Sequence, residues 1–224
     1  MKFYRCLLTM EDYLFFATTE RGKIAETGPF VHNFALTYAL SYLWPDKKRL
    51  PPRYQEKQSP NYEEELSSVD FYITPAKLIS GQQKVIQYNS KGESYHLSRG
   101  RSLGYPNWGY IKPFLPGSKF KFYIRAEKEL EFPRYIRLGK FMGKARLQID
   151  TPEEQSKKQG EYSANLLLNW EDLETRPDVF DILPGTLPTQ LIENGHYSVG
   201  DYWQLNFEHE TKKIPVGMNY LCQR

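Results

Sequence analysis

Residues 2–10 alternate in the way of a strand with one buried side: Tyr4, Cys6, Leu8 and Met10 share one face, and Arg5 and Thr9 the other. The sharpest alternation lies at residues 119–125. There Phe120, Phe122 and Ile124 oppose Lys119, Lys121, Tyr123 and Arg125, which predicts one core face and one basic, wet face. Residues 145–150 repeat the idea, with Ala145, Leu147 and Ile149 opposite Arg146 and Gln148. Shorter strands are predicted at 69–74, 84–88, 165–170 and 202–207, and residues 13–18 extend or pair with the first strand. One helix is predicted. Thr27-Gly28-Pro29 supplies a cap and a first-turn proline, and residues 30–43 follow without a breaker, apolar on nearly every side, as in a buried helix.

Between these elements the chain reads as loop. Residues 44–62 hold Pro45, Pro51, Pro52 and Pro60, which deny the backbone donors that regular structure needs. Residues 92–116 are irregular and long enough to be functional. Residues 151–160 are predicted to be a polar loop, and 176–200, rich in Pro and Gly, structured loops. The order of elements predicts an α+β fold with a ferredoxin-like sheet. Residues 1–149 form its core, with loop insertions near 44–68 and 89–118. Residues 150–224 form a β-rich, acidic C-terminal portion of the same domain.

Charge sharpens this division. Residues 1–149 hold 24 Lys/Arg against 14 Asp/Glu, whereas residues 150–210 hold 3 against 13. A basic part followed by an acidic part predicts two partner surfaces, one for a polyanion and one for protein; a solvated acidic face is the alternative. Aromatic content is high, at 15%. Aromatics among bases suit stacking-based recognition of single-stranded nucleic acid, and they also suit strands as such. The two cysteines make neither a zinc site nor a disulfide framework, which fits a reducing, cytoplasmic setting. No apolar run approaches membrane-spanning length, and residues 1–10 do not read as a signal peptide.

The segment richest in chemistry is residues 133–147. It holds Arg134, Arg137, Lys140, Lys144 and Arg146 without a single acid, and Gly139 and Gly143 four residues apart. Glycine lets a backbone approach a phosphate closely, and Lys and Arg neutralise it. A basic turn whose glycines serve only the bend is the other reading. The grip is assigned to Arg137, Gly139, Lys140, Gly143, Lys144 and Arg146. A second tier is Arg99, Arg101, Tyr105 and Trp108, with aromatics to stack bases and arginines to hold phosphates. Trp108 reads equally well as a loop anchor. Lys119, Lys121 and Tyr123 complete the set as a sheet-face platform.

Two strings resemble a known family. Residues 12–18 (Asp12-Tyr13-Leu14-Phe15-Phe16-Ala17-Thr18) with Glu26-Thr27 and residues 32–40 (His32-Asn33-Phe34-Ala35-Leu36-Thr37-Tyr38-Ala39-Leu40) resemble the N-terminus of the type I-D CRISPR Cascade subunit written Csc-one. Residues 136–144 are similar to the same family's glycine-containing basic segment. The resemblance implies a repeat-associated (RAMP) protein with an RRM-like, ferredoxin-type core. It implies a non-catalytic subunit that caps the 5′ handle of the crRNA, contacts the backbone and large subunits, and lies near target DNA at the protospacer-adjacent motif.

Some RAMP relatives cleave precursor RNA without metal, by general acid–base attack of the 2′-hydroxyl. Here His32, Tyr13 and Lys140 are the residues such a role would need, and a satisfied, buried His32 is the competing reading. A structural subunit contacting proteins only is the third. The histidines lack metal-ligand spacing, no Walker-type loop or nucleophile elbow occurs, and no metal or cofactor is expected.

Overall fold

The structure is a computed structural model that describes residues 1–22, 24–40, 60–66, 69–90 and 107–222. Strands dominate it. In order they are β1 (Lys2–Met10), β2 (Thr19–Arg21), β3 (Ile24–Glu26) and β4 (Phe30–Val31), then helices α1 (Asn33–Ala39) and α2 (Tyr62–Leu66). There follow β5 (Phe71–Ile73), β6 (Ala76–Ser80), β7 (Ile86–Ser90), β8 (Asn107–Lys112), β9 (Lys119–Ala126), β10 (Tyr135–Leu138) and β11 (Gly143–Asp150). The C-terminal part adds β12 (Glu154–Ala164), β13 (Leu168–Asn169), β14 (Val179–Ile182), β15 (Leu191–Phe207) and β16 (Glu210–Pro215).

A seven-stranded sheet runs β10-β11-β1-β9-β6-β4, with β5 also on β9. The three strands with the clearest alternation, β1, β9 and β11, are its centre. Their inward residues Cys6, Leu8, Met10, Phe120, Phe122, Ile124, Ala145 and Leu147 form the main core with Phe34 and Leu36 of α1. The Leu, Met, Phe and Ile side chains among them each contribute roughly 1.5–3 kcal/mol by leaving water. A second sheet, centred on the 17-residue β15, carries β12, β13, β14 and β16. Its core of Tyr162, Leu205, Phe207 and Ile214 closes over Phe3, Tyr72 and Tyr123 of the first sheet. A third, four-stranded sheet is β2-β3-β8-β7.

The helix is shorter than its apolar run predicts. Phe30 and Val31 are extended and pair with Lys77 and Ala76, and His32 rather than Thr27 caps α1, its Nδ1 accepting from Phe34 N at 3.2 Å. Thr27 instead accepts from Phe16 N at 3.1 Å through its hydroxyl. Residues 41–43 lie outside the described residues. The ferredoxin-like expectation is met only as far as an antiparallel sheet with helix packed on one face. Between Ala126 and Gly143, where a second helix would have to lie, the chain forms strand β10.

Three loop expectations are also corrected. Residues 151–160 enter β12, 176–200 contain β14 and the first half of β15, and the described part of 92–116 contains β8. A buried polar joint ties the C-terminal part to the core. Asp172 accepts from Asn33 Nδ2 at 2.7 Å, from the Tyr72 hydroxyl at 3.0 Å and from Leu221 N at 2.9 Å. Burial pushes its carboxyl up to about 6, against the pull of those hydrogen bonds.

Candidate nucleic-acid interface

Antiparallel register puts the basic residues of the large sheet on one face. Arg137 lies opposite Lys144 across β10 and β11, and Tyr135 opposite Arg146. Arg146 in turn lies opposite Thr9 of β1, and Thr9 opposite Lys119 of β9. Four strands about 4.8 Å apart make this row about 14 Å wide. All these residues point away from the core, whose side is taken by Ile136, Leu138, Ala145 and Leu147. Arg137 and Lys119 are exposed, and Lys144 and Arg146 half-buried. Lys144 Nζ sits 4.0 Å from the Tyr135 ring centroid, and that tyrosine stays exposed. Glu11 pairs with Arg146 at 3.1 Å, so Arg146 is in part compensated.

The same face is covered at its other end. Lys121 binds both oxygens of Glu210, at 3.0 and 2.8 Å, and the Tyr123 hydroxyl donates to Glu210 at 3.2 Å. Arg5 reaches the same carboxylate at 3.2 Å and lies over Phe207. Burial works against a charge on Glu210, yet the hydrogen bonds from Lys121 and Arg5 hold its carboxyl below the usual range. Tyr123 is only 3% exposed, and burial pushes its phenol up. Tyr123 is therefore no stacking platform, and Lys121 is an inter-sheet ion-pair partner. Of the predicted sheet platform only Lys119 remains open. Alternation reveals which face a side chain takes, and a second sheet packed on that face is invisible to it.

The glycines also change meaning. Residues 139–142 are the turn between β10 and β11, closed by Met142 N donating to Gly139 O at 3.0 Å. The turn sits on residues 11–16. Lys140 N donates to Phe15 O at 2.8 Å, Glu11 N to Lys144 O at 2.9 Å, and Lys144 N to Asp12 Oδ2 at 2.9 Å. A Cβ on Gly143 would stand 2.5 Å from Tyr13 O, and one on Gly139 2.8 Å from Phe15 O. Gly139 also has φ +76°. The chain's own backbone fills the space the glycines leave, so their first duty is packing of the turn rather than approach to a phosphate.

Lys140 is exposed but leaves the sheet face. It lines a groove of about 430 Å³ with Phe16, Phe34, Tyr38, Tyr62 and Leu187. Arg99, Arg101 and Tyr105 lie outside the described residues, and Trp108 is on β8, in the third sheet, with its side chain undescribed. Tyr135 is the residue that sequence reasoning passed over. Its alternation with Ile136, Arg137 and Leu138 was the available signal.

His32 uses both ring nitrogens in the fold: Nδ1 at the cap, and Nε2 on Thr189 Oγ1 at 3.0 Å. Burial lowers its pKa to about 4. Among the described residues no cluster of three or more His, Cys, Asp or Glu is placed to hold a metal ion, and no helix is long and apolar enough to cross a membrane.

Comparison with curated proteins gives no match. Among solved structures, the chain is similar to a crystal structure of a CRISPR protein from Archaeoglobus fulgidus, at 12% identity and a TM-score of 0.39. That alignment covers 96% of this chain and 100% of the other. A family model described as type I-D CRISPR-associated protein Cas5/Csc1 matches residues 1–223.

Proposed function

The chain belongs to the type I-D CRISPR-associated Cas5/Csc1 family, and from that premise we propose that it is the Cascade subunit that holds the 5′ handle of the crRNA. One observation carries the reading. The open end of the large sheet's outer face gathers Arg137, Lys144, Arg146 and Lys119 around exposed Tyr135. Cations on neighbouring strands neutralise successive phosphates, and Arg137 can fork onto one. An aromatic among them offers a face to a base.

In this reading the acidic second sheet faces the protein neighbours, the backbone and large subunits, and the subunit lies near target DNA at the protospacer-adjacent motif. The subunit is a binder and carries out no cleavage. Strand cutting by His32 would need a ring nitrogen free to accept a proton, and burial together with two hydrogen bonds works against that.

The test is the salt dependence of binding to a single-stranded RNA carrying the repeat-derived handle. The double variant Arg137→Ala, Lys144→Ala removes two phosphate contacts. The slope of log K against log salt then loses about 1.4 in magnitude. An unchanged slope refutes the assigned grip.

A further inference from the structure

Lysines converge where the seven-stranded sheet meets the second sheet. Lys77 of β6 lies directly opposite Lys121 of β9. Lys212 of β16 lies opposite the buried Leu205, so it points inward between the sheets, and its side chain is only 19% exposed. All three line a cleft of about 230 Å³, with Leu78, Ile79 and Leu166 among its walls. Their acids do not match them in number. Lys121, Lys212 and Arg5 share Glu210, at 2.8, 3.6 and 3.2 Å, and Lys77 has Glu193 at 2.7 Å. Even with Asp150 on Arg5, these four cations face three carboxylates. Like charges directly opposite across two strands are destabilising, and local conflicts of that kind concentrate at functional sites.

We propose that this inter-sheet cleft binds a phosphate group, held jointly by Lys77, Lys121 and Lys212, and that the group belongs to the bound RNA strand. The inference rests on the RNA-binding reading above for the source of the phosphate, and on the cleft alone for the site. Apolar walls around charges of one sign focus their field and raise the local concentration of an anion. The cleft holds several times the volume of a water molecule, which leaves room for a phosphate and attendant waters. Position chooses the source. Lys119, at the end of the open basic row, is two residues from Lys121 on the same face of β9, about 6.8 Å along the strand. A strand that follows the row to Lys119 therefore meets the cleft next.

Two probes are titrated with the full chain: inorganic phosphate, followed by the line width of its phosphorus NMR signal, and the handle RNA, followed by the salt dependence of binding. The parent should broaden the phosphate signal, and added RNA should reverse the broadening. Lys77→Gln with Lys212→Gln removes one phosphate contact. The broadening should vanish, and the slope of log K against log salt should lose about 0.7 in magnitude. Lys77→Arg with Lys212→Arg keeps the charges and should restore both. Ile79 is exposed at the cleft, so Ile79→Glu leaves the lysines and the core in place and should reproduce the loss. Unchanged broadening and unchanged slope in the Gln variant overturn the site. Broadening lost with the slope unchanged overturns the strand as the source and leaves a site for free phosphate. Absence of any cation-dependent RNA binding, with lysine-dependent broadening intact, overturns the RNA-binding reading and leaves the phosphate site standing.

Discussion

Adding one methyl group at position 143 separates two accounts of the basic turn. The Cβ of Gly143→Ala would stand 2.5 Å from the carbonyl oxygen of Tyr13, against 3.4 Å for ordinary contact, so the two backbones must part by about 0.9 Å. Neither is the loose end of a side chain. The bonds Glu11 N to Lys144 O and Lys144 N to Asp12 Oδ2 lie beside the contact and stretch with it. Forced overpacking of this kind costs about 1–3 kcal/mol. In a chain of this length about 2 kcal/mol lowers Tm by about 4–8 °C. Thermal unfolding measures that directly, and RNA binding well below Tm measures the rest. The account predicts a clear fall in Tm, with a smaller loss of RNA affinity than Arg137→Ala, Lys144→Ala produces. A Tm within about 1 °C of the parent, together with a loss of RNA affinity matching the double variant, refutes it and returns the glycine to the phosphate.

Two further outcomes follow from the joints between the sheets. Asp172 has its pKa raised from 3.8 to about 6, so the folded state binds the proton more tightly than the unfolded chain. Its contribution is fully present below 3.8, is lost as pH rises through about 6, and amounts to roughly 3 kcal/mol. Denaturant unfolding from pH 7.5 to 4.5 should move the stability difference between parent and Asp172→Asn by about 2 kcal/mol in the parent's favour. A pH-independent difference refutes the buried-carboxylate assignment. Glu210→Ala removes the acceptor shared by Arg5, Lys121 and Tyr123, and should cost about 1–3 kcal/mol of stability while strengthening RNA binding through the freed cations. Weaker RNA binding at unchanged stability contradicts the inter-sheet role.

What the sequence reveals is set by which residues have only one kind of neighbour. The strands β1, β9 and β11 alternate because one side meets the core, and their inward residues Leu8, Phe122 and Leu147 are buried as the period requires. Strand β12 gives no such signal because residues 154–159 are exposed on both faces, and a strand without a buried side has no hydrophobic period. Phe30 and Val31 mislead in the opposite way. A strand buried on both faces reads like the opening of a buried helix, and only its pairing with β6 decides. The candidate site follows the same logic. Arg137, Lys144, Arg146 and Lys119 stand out as charges opposite core residues. The loss of Lys121 and Tyr123 to Glu210 depends on a partner 89 and 87 residues away, which no local pattern carries.

Protein–RNA crosslinking in the assembled complex, with the crosslinked peptides identified by mass spectrometry, reaches the central claim most directly. The account predicts crosslinks from the 5′ end of the guide to residues 133–147, with Tyr135 prominent among them. Guide crosslinks found only on other parts of the chain, with residues 133–147 recovered unmodified, contradict it.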